Sequence, residues 1–296
     1  MSYIMKNKSV LVTGGNGFIG SNIVKQLSCY NNVTVLDVDT NNKHNNTVNV
    51  NSNMMDYDFS KEEFDYIFHQ AAIVDTRYDN DDIYNINAEF IKKLIKVCER
   101  TDGKLIYASS CAVYGNTDIP NTVNKSEEPL NKYGKSKLLQ DNIVREYISS
   151  NETRVPVVGL RYSNVYGDGE NHKGDMASMI YQINSKIVKN QPIRLFKYGE
   201  QKRDFVYIKD IVNYNIYAAD KDISGIYNAG YGDSYSFNDV IRFFELYYNR
   251  SFNIDWIDNP YPFFQNHTLT SLNRDLYKPI YDLKTGIFDY LNVIRL

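Results

Sequence analysis

The fold class that the sequence predicts is α/β, with a doubly wound parallel sheet and a smaller C-terminal lobe interleaved with it. Short, continuously apolar runs recur along the first half of the chain, as is typical of strands buried on both faces of a parallel sheet. Segments with helical spacing of apolar residues separate these runs, and a glycine-rich series directly follows the first run. Strand–helix alternation of this kind favours helices packed on both faces of one sheet.

Five apolar runs predict the strands of this sheet. They are "SVLVTG" (9–14), "VTVLDVD" (33–39), "FDYIFH" (64–69), "KLIYAS" (104–109) and "VPVVGLRY" (155–162). Helices are predicted between them from apolar residues at helical spacing: Ile19, Ile23, Val24 and Leu27; Phe90, Leu94, Ile95 and Val97; and Leu138, Leu139, Ile143, Val144 and Tyr147. The Asn-rich stretch 41–53 has no such pattern, and we expect a surface loop there.

Beyond about Gly167 the alternation breaks down. Residues 175–190 predict an amphipathic helix, and residues 203–219 predict a strand that enters a helix. Ser236 and Asp239 have the spacing of a capping box, which predicts the start of another helix.

The bulk composition excludes several classes of protein. The chain has 296 residues, 43% of them hydrophobic and 23% charged, with a net charge of −3, so we expect no nucleic-acid or membrane partner. No stretch approaches the length of a membrane span, and the opening lacks the apolar core of a signal peptide, so we expect a cytoplasmic protein. Cys29, Cys98 and Cys111 suit reduced thiols, and no His/Cys spacing predicts a metal site.

The glycine-rich run "TGGNGFIG" predicts a phosphate-binding loop. Gly14, Gly17 and Gly20 follow the first strand and open the first helix, where glycines allow a tight turn and close approach of the backbone to a pyrophosphate. Asp37 ends the second strand about 20 residues on, where an acid can bind the adenosine ribose. Asp37 and Asp39 would repel a 2′-phosphate and favour NAD, whereas Lys43 would favour NADP, so the choice between the two cofactors stays open.

The glycine-rich loop and the end of the strand–helix alternation at about Gly167 together predict the domain organisation. We expect a dinucleotide-binding Rossmann domain at residues 1–166 and a mainly substrate-binding lobe at residues 167–296. Because the sequence shows no internal repeat and no flexible linker, we expect some segments of the second part to return to the first domain.

A possible proton-transfer group lies in "NKYGKSK". Tyr133 and Lys137 are four residues apart at the start of a predicted helix, so both side chains lie on one face. A nearby ammonium would lower the tyrosine pKa from about 10 towards neutrality. Ser109 or Ser110, at the carboxyl end of a predicted strand, can hydrogen-bond the same substrate oxygen.

Together these residues resemble the extended short-chain dehydrogenase/reductase family of nucleotide-sugar epimerases and dehydratases. The runs "HQAA" (69–72), "LRYSNVYG" (160–167) and "RDFVYIKD" (203–210) also fall in family order. The resemblance implies a tightly bound NAD or NADP, a nucleotide-diphosphate sugar as substrate and a homo-oligomer. By this likeness the catalytic residues are Ser110, Tyr133 and Lys137. The implied cofactor contacts are Gly14, Asn16, Gly17, Phe18, Ile19, Gly20, Asp37, Ala71, Asn87, Tyr133 and Lys137, and the implied substrate contacts are Ser110, Asn164, His172 and Arg203.

Within the family, the run "HKGDMAS" is similar to that of the ADP-L-glycero-D-manno-heptose 6-epimerases. That likeness implies that Lys173 is a second acid/base across the substrate from Tyr133. A dehydratase carries an Asp-Glu pair where this chain has Cys111-Ala112, so elimination of water is not expected. Residues 73–82 and 251–281 depart from the heptose epimerase pattern.

Three alternatives remain at this stage. A UDP-hexose 4-epimerase (acting on UDP-glucose or UDP-N-acetylglucosamine) would use Ser110, Tyr133 and Lys137 and leave Lys173 as a surface lysine. An enzyme resembling GDP-fucose synthase would instead use Cys111 with His172 as its acid/base pair. A non-catalytic family member would bind the cofactor only, although such members tend to lose the tyrosine.

Overall fold

The computed structural model describes residues 5–39, 44–150, 154–196, 198–259 and 265–294. Its main feature is a parallel sheet of seven strands in the order β11-β6-β5-β4-β1-β2-β3. The strands are β1 (Ser9–Thr13), β2 (Asn32–Asp37), β3 (Thr47–Asn51), β4 (Tyr66–His69), β5 (Lys104–Ser110), β6 (Val157–Tyr162) and, following four short strands of the second half, β11 (Gly225–Ala229). The predicted doubly wound parallel sheet is therefore confirmed.

Helices α1 (Phe18–Leu27), α3 (Ile91–Thr101), α4 (Lys132–Ser149) and α6 (Ile208–Asp220) cover the two faces of this sheet. The described residues also form α2 (Asp82–Tyr84), α5 (Met179–Val188), α7 (Phe237–Tyr248) and α8 (Leu283–Val293), which pack chiefly on other elements. Apolar residues of α1 and α6 pack in one core, whereas those of α3 and α4 pack in a second core on the opposite face. The predicted helices are confirmed, and Ser236 with Asp239 forms the predicted capping box at α7.

Two strands of the main sheet were not predicted. β3 lies inside the Asn-rich stretch that was expected to be a surface loop, and residues 41–43 of that stretch lie outside the described residues. β3 pairs with β2 on one side only, and most of its side chains are exposed, so it needs no apolar run. β11 pairs with β6 and brings a late segment of the chain back to the sheet.

The second half also forms three small two-stranded sheets. These pair β10 (Phe205–Tyr207) with β7 (Asn164–Tyr166), β12 (Tyr235–Ser236) with β9 (Lys202–Arg203), and β13 (Ile254–Ile257) with β8 (Ile193–Phe196). The first pair lies directly after the carboxyl end of β6, so it extends the edge at which the parallel strands end. The division at residue 166 stays a prediction.

Two expectations from composition concern the cysteines and membrane-spanning helices. Cys29, Cys98 and Cys111 are free thiols, as expected. Among the helices that are described, none is long and apolar enough to cross a membrane.

A buried ion network joins α4 to the centre of the sheet. Arg161 on β6 and Asp141 on α4 are fully buried, with 2.7 Å between Arg161 Nη2 and Asp141 Oδ2. Asp141 Oδ1 accepts a hydrogen bond of 2.9 Å from the Tyr107 hydroxyl on β5, and Arg161 Nη1 lies 2.6 Å from Glu127 Oε1. Because each charge has a partner, the network fixes the position of α4 relative to two strands.

We expect Asp141→Asn to lower the free energy of unfolding by about 3 kcal/mol, because it leaves the buried Arg161 charge without its fully buried carboxylate partner. Urea denaturation measures this as a lower midpoint at an unchanged slope. The matched control is Asp255→Asn, which removes an exposed pair with Arg194 at 3.9 Å and should cost less than about 1 kcal/mol. Equal losses in the two variants would contradict the importance of the buried network.

Candidate functional site

The glycine-rich turn after β1 is packed so tightly that it excludes side chains. Gly14 has a φ of +68°, and a Cβ there would lie 2.6 Å from the backbone nitrogen of Ala71. A Cβ on Gly20 would collide with the Gly14 carbonyl oxygen, and Gly17 donates its N–H to the same oxygen at 3.1 Å. Gly17 is also the N-cap of α1 and has no capping side chain, so the helix N-terminus is left to a ligand.

Asp37 lies at the rim of this cradle, at the end of β2. Its Oδ2 accepts from the Asn16 N–H at 2.9 Å, and its Oδ1 accepts from the Asp39 N–H at 3.0 Å. The carboxylate is thereby fixed where it can bind a ribose hydroxyl and repel a 2′-phosphate. Lys43 lies outside the described residues. His44, for which no role was predicted, has its Nε2 at 3.0 Å from the Gly15 carbonyl oxygen in the cradle.

Ser110 and Tyr133 meet because the start of α4 packs directly on the turn after β5. Ser110 ends β5 and caps a 3₁₀ turn, where its Oγ accepts from the Ala112 N–H at 3.1 Å. A Cβ on Gly134 would lie 2.8 Å from the Ala112 carbonyl oxygen, so only glycine allows this approach. The Ser110 hydroxyl is thereby placed near the Tyr133 phenol.

Lys137 lies one helical turn beyond Tyr133 and is only 2% exposed. Its Nζ donates to the Ala108 carbonyl at 2.8 Å and to Gln140 Oε1 at 3.2 Å. Burial lowers the pKa of Lys137 to about 8, partly opposed by Asp141.

The pKa of Tyr133 is raised above 10, whereas the sequence predicted a lowered value. Burial of the phenol is the largest cause, and the nearby Ser110 hydroxyl offsets it only in part. The prediction was wrong because it counted the Lys137 charge and left out desolvation. In this arrangement Tyr133 is a neutral phenol at pH 7.

Asn87, predicted as a cofactor contact, holds the chain beside the cradle. It is buried, its Oδ1 accepts from the Ile73 N–H at 2.8 Å, and its Nδ2 donates to the Ile73 carbonyl at 2.9 Å. The same Nδ2 donates to Ser136 Oγ at 3.1 Å on α4. Asn87 therefore ties the segment after Ala71 to the helix that carries Tyr133.

Lys173 lies on a short 3₁₀ helix, Asn171–Met176, and is half-buried rather than solvated. Its Nζ is 5.3 Å from the centroid of the Phe18 ring, at the first residue of α1. Burial lowers the pKa of Lys173, and the nearby Glu170 opposes this effect. The ammonium therefore lies beside the N-terminus of the helix that forms the cradle. His172, its neighbour, is exposed.

Asn164 and Arg203, predicted to contact the substrate, are both bonded to residues 265–271, for which no role was predicted. Asn164 Oδ1 accepts from Thr268 Oγ1 at 3.2 Å, and Arg203 Nη1 donates to the Asn266 carbonyl at 3.0 Å. Burial lowers the pKa of Arg203 to about 10. Gln265 Nε2 donates to the Gly115 carbonyl at 2.9 Å, so residues 265–271 also reach the turn that follows Ser110.

The alternative pair of Cys111 and His172 finds little support in the structure. The Cys111 thiol is 4% exposed and donates to the Arg161 carbonyl at 3.5 Å. Burial raises its pKa, which disfavours the thiolate that proton abstraction would need. Within the described ranges, no group of His, Cys, Asp and Glu side chains is arranged to hold a metal ion.

The residues present fit a dinucleotide cofactor. The cradle lacks space for side chains, exposes the N-terminus of α1 and carries a fixed carboxylate at its rim. Gly14, Gly17 and Gly20 would hold the pyrophosphate, Asp37 the adenosine ribose and Lys137 the second ribose.

We expect Gly20→Ala to lower the affinity for NAD⁺ by at least about tenfold, or 1.4 kcal/mol, because the added methyl group pushes α1 away from the cradle. Titration of the purified protein with NAD⁺ measures this affinity. The control is Gly174→Ala: its φ of +53° disfavours a side chain, but no atom lies within 4 Å of the new Cβ. That variant should lose only about 1 kcal/mol of stability and bind NAD⁺ normally. Normal binding by Gly20→Ala would contradict the assignment of the cradle.

Comparison with known proteins agrees with this geometry. The structure is similar to the ADP-L-glycero-D-manno-heptose-6-epimerase of Helicobacter pylori, with 36% sequence identity and a TM-score of 0.88. The match covers 99% of this chain and 98% of the Helicobacter pylori chain. It is also similar to the UDP-N-acetylglucosamine 4-epimerase of Methanobrevibacter ruminantium M1, with 28% identity, 97% and 98% coverage and a TM-score of 0.90. The UDP-glucose 4-epimerase of Thermotoga maritima, at 22% identity, 96% and 97% coverage and a TM-score of 0.86, shares the fold.

A family model also matches residues 10–230, which is more than half of the chain and includes every predicted catalytic residue. The model is that of the NAD dependent epimerase/dehydratase family. The resemblance drawn from the sequence is therefore confirmed, and so is the expectation of an NAD-type cofactor. The chain belongs to the NAD dependent epimerase/dehydratase family.

Proposed function

We propose that this enzyme is a nucleotide-sugar epimerase that inverts a carbinol by transient oxidation, with an ADP-glycero-manno-heptose as substrate and the side-chain carbon C6 as the reacting centre. The observation that carries the proposal is the position of Lys173, half-buried beside the cradle. A sequence identity of 36% with the Helicobacter pylori heptose epimerase over nearly the whole chain supports it.

The proposed chemistry uses residues on two sides of the substrate. The cofactor supplies the hydride acceptor and, on the return step, the hydride donor. Tyr133 in its phenolate form takes the proton of the carbinol hydroxyl as a ketone forms and becomes the neutral phenol, and Ser110 holds the same oxygen through its hydroxyl. After the ketone has turned about the side-chain bond, its oxygen faces away from Tyr133. Lys173 then donates the proton to the new alcohol.

Asn164 and Arg203 complete the site as binders of the nucleotide diphosphate. Thr268 is hydrogen-bonded to Asn164, and the Asn266 carbonyl is hydrogen-bonded to Arg203, so one segment holds both side chains. A guanidinium that is partly removed from water gains more from a phosphate than an exposed one does. This supports a diphosphate-linked substrate rather than a free sugar.

The second candidate is a UDP-hexose 4-epimerase, which the TM-score of 0.90 with the Methanobrevibacter ruminantium enzyme favours. Such an enzyme rotates the whole keto-sugar, so Tyr133 serves both faces and Lys173 has no chemical step. The two candidates therefore differ in whether turnover depends on the Lys173 side chain.

For the heptose reaction, we expect Lys173→Ala to lower kcat by about 100-fold or more, because one of two proton-transfer groups is lost. The measurement is interconversion of the ADP-heptose epimers, with UDP-glucose and UDP-N-acetylglucosamine assayed in parallel. Lys189→Ala, which removes an exposed lysine at the end of α5, is the matched control and should turn over normally. Turnover of a UDP-sugar alone, unchanged in Lys173→Ala, would replace the heptose proposal with the 4-epimerase.

Tyr133→Phe is expected to lower turnover of every substrate by about 100- to 10,000-fold, because the proton acceptor of the oxidation step is removed. Cofactor content should stay at the wild-type level, which absorbance of the purified protein measures. The control is Tyr78→Phe, whose exposed hydroxyl is hydrogen-bonded to Asp82, the first residue of α2. Substantial turnover by Tyr133→Phe would favour a different base.

A further inference from the structure

The Glu170 carboxylate is fully buried between two ends of one segment. Its Oε1 accepts from the Gly167 N–H at 3.0 Å and from the Ser178 hydroxyl at 2.9 Å. Its Oε2 accepts from the Ser178 N–H at 2.6 Å. The Tyr290 hydroxyl of α8 lies near the same carboxylate. Burying a carboxylate is costly: burial raises the pKa of Glu170, and the donors from Gly167 and Ser178 offset that effect in part.

The residues between these two ends, 167–178, are called the Lys173 segment below. Its backbone is intrinsically adaptable, since Gly167 has a φ of +141° and Gly174, with a φ of +53°, interrupts the 3₁₀ helix. One carboxylate that binds both ends closes the segment into a loop. The conformational freedom of Lys173 within it is therefore limited by Glu170.

Contacts with α1 set where the closed loop lies. Asn22 Nδ2 donates to the Asp168 carbonyl at 2.8 Å, and a Cβ on Gly169 would lie 3.8 Å from the Phe18 ring. The Lys173 N–H donates to the Glu170 carbonyl at 3.0 Å, and its Nζ lies over Phe18. The position of the ammonium is thus set by the bond of the Lys173 backbone to Glu170 and by the contact of the side chain with Phe18 of α1.

Several titratable groups lie on the Lys173 segment and on the elements packed against it. On the segment itself these groups are Asp168, Glu170, His172 and Asp175, and on the elements packed against the segment they are Lys25 of α1, Tyr290 of α8, and Asp75 with Arg77, where Arg77 contacts Met176. Glu170 is the group that raises the Lys173 pKa against the effect of burial. Its charge therefore favours the ammonium form that a proton donor needs.

We propose that Glu170 is the positioning residue of Lys173: its carboxylate closes the segment that carries the lysine and supplies the negative charge that keeps the lysine protonated. The proposal rests on the proposed function only for the step in which Lys173 acts. The positioning itself is a property of the folded chain and has its own test.

The test compares wild type with Glu170→Gln, in which an amide of equal size replaces the charge. Lys173 is acetylated with acetic anhydride over a pH series, and the modified peptide is quantified by mass spectrometry. Because only the neutral amine reacts, the midpoint of the profile reports the ionisation of Lys173. We expect the midpoint to move to lower pH by about one pH unit in Glu170→Gln, since the neighbouring negative charge is gone.

Turnover of the ADP-heptose is measured on the same variant. We expect kcat to fall by at least about tenfold at little change in KM, since the nucleotide is bound elsewhere. The alkaline limb of the pH–rate profile should move to lower pH together with the acetylation midpoint. The matched control is Asp239→Asn, which breaks the capping box at α7 and should lower Tm without moving the Lys173 midpoint.

The outcomes separate this inference from the proposed function. A folded Glu170→Gln variant with an unmoved midpoint overturns the inference. A moved midpoint with normal turnover supports it and removes Lys173 from the proposed mechanism. If Glu170→Gln does not fold, Glu170→Asp keeps the charge but is too short to bind both ends of the segment. That variant should lose turnover with the midpoint retained, and wild-type kcat in it would overturn the role of the carboxylate in positioning.

Discussion

The buried salt bridge between Arg161 and Asp141 is the interaction on which the catalytic side of the molecule depends. Arg161 lies near the carboxyl end of β6, and Asp141 lies one helical turn beyond Lys137 on α4. Both are fully buried, so neither can lose its partner without leaving a charge in the interior. Because α4 also carries Tyr133, the bridge fixes the distance between the sheet and both members of the Tyr–Lys pair. An arrangement that requires accurate placement of a proton donor gains from such a rigid support.

Asp204 has the corresponding role in the second half of the chain. It is fully buried and accepts from the N–H groups of Tyr231, Gly232 and Thr270 and from the Thr270 hydroxyl. Burial raises its pKa from 3.8 to about 6, so the folded chain binds this proton more tightly than the unfolded chain does. Its protonated form therefore favours folding below about pH 4, and that contribution is lost as the pH rises through about 6. At neutral pH the four donors hold the carboxylate and join the chain between β9 and β10 to Tyr231, Gly232 and Thr270.

The sequence predicted those parts of the molecule that depend on local pattern. Five strands are continuous apolar runs, and Ser110 could be placed near Tyr133 because the carboxyl ends of parallel strands share one edge. β3 escaped prediction because an exposed edge strand needs no apolar run. Residues 265–271 escaped because their bonds to residues such as Gly115 and Arg203 are polar and distant in sequence. Glu170 resembled a solvated acid beside a lysine, since the donors that bury it come from backbone groups without a sequence signal.

The electrostatics of the site follow from burial more than from pairing. Burial lowers the pKa of Lys137 and of Lys173, and it raises the pKa of Tyr133. All three shifts favour the neutral form, because a site that excludes water penalises charge of either sign. Tyr133 therefore needs more positive potential than Lys137 provides before its phenolate forms at neutral pH. Lys173 needs the opposite help, a negative charge that retains its proton, and Glu170 is placed to give it. The ordinary pKa values of Tyr133 and Lys173 nearly coincide. Their surroundings alone can thus assign one group to accept a proton and the other to donate one, as proposed.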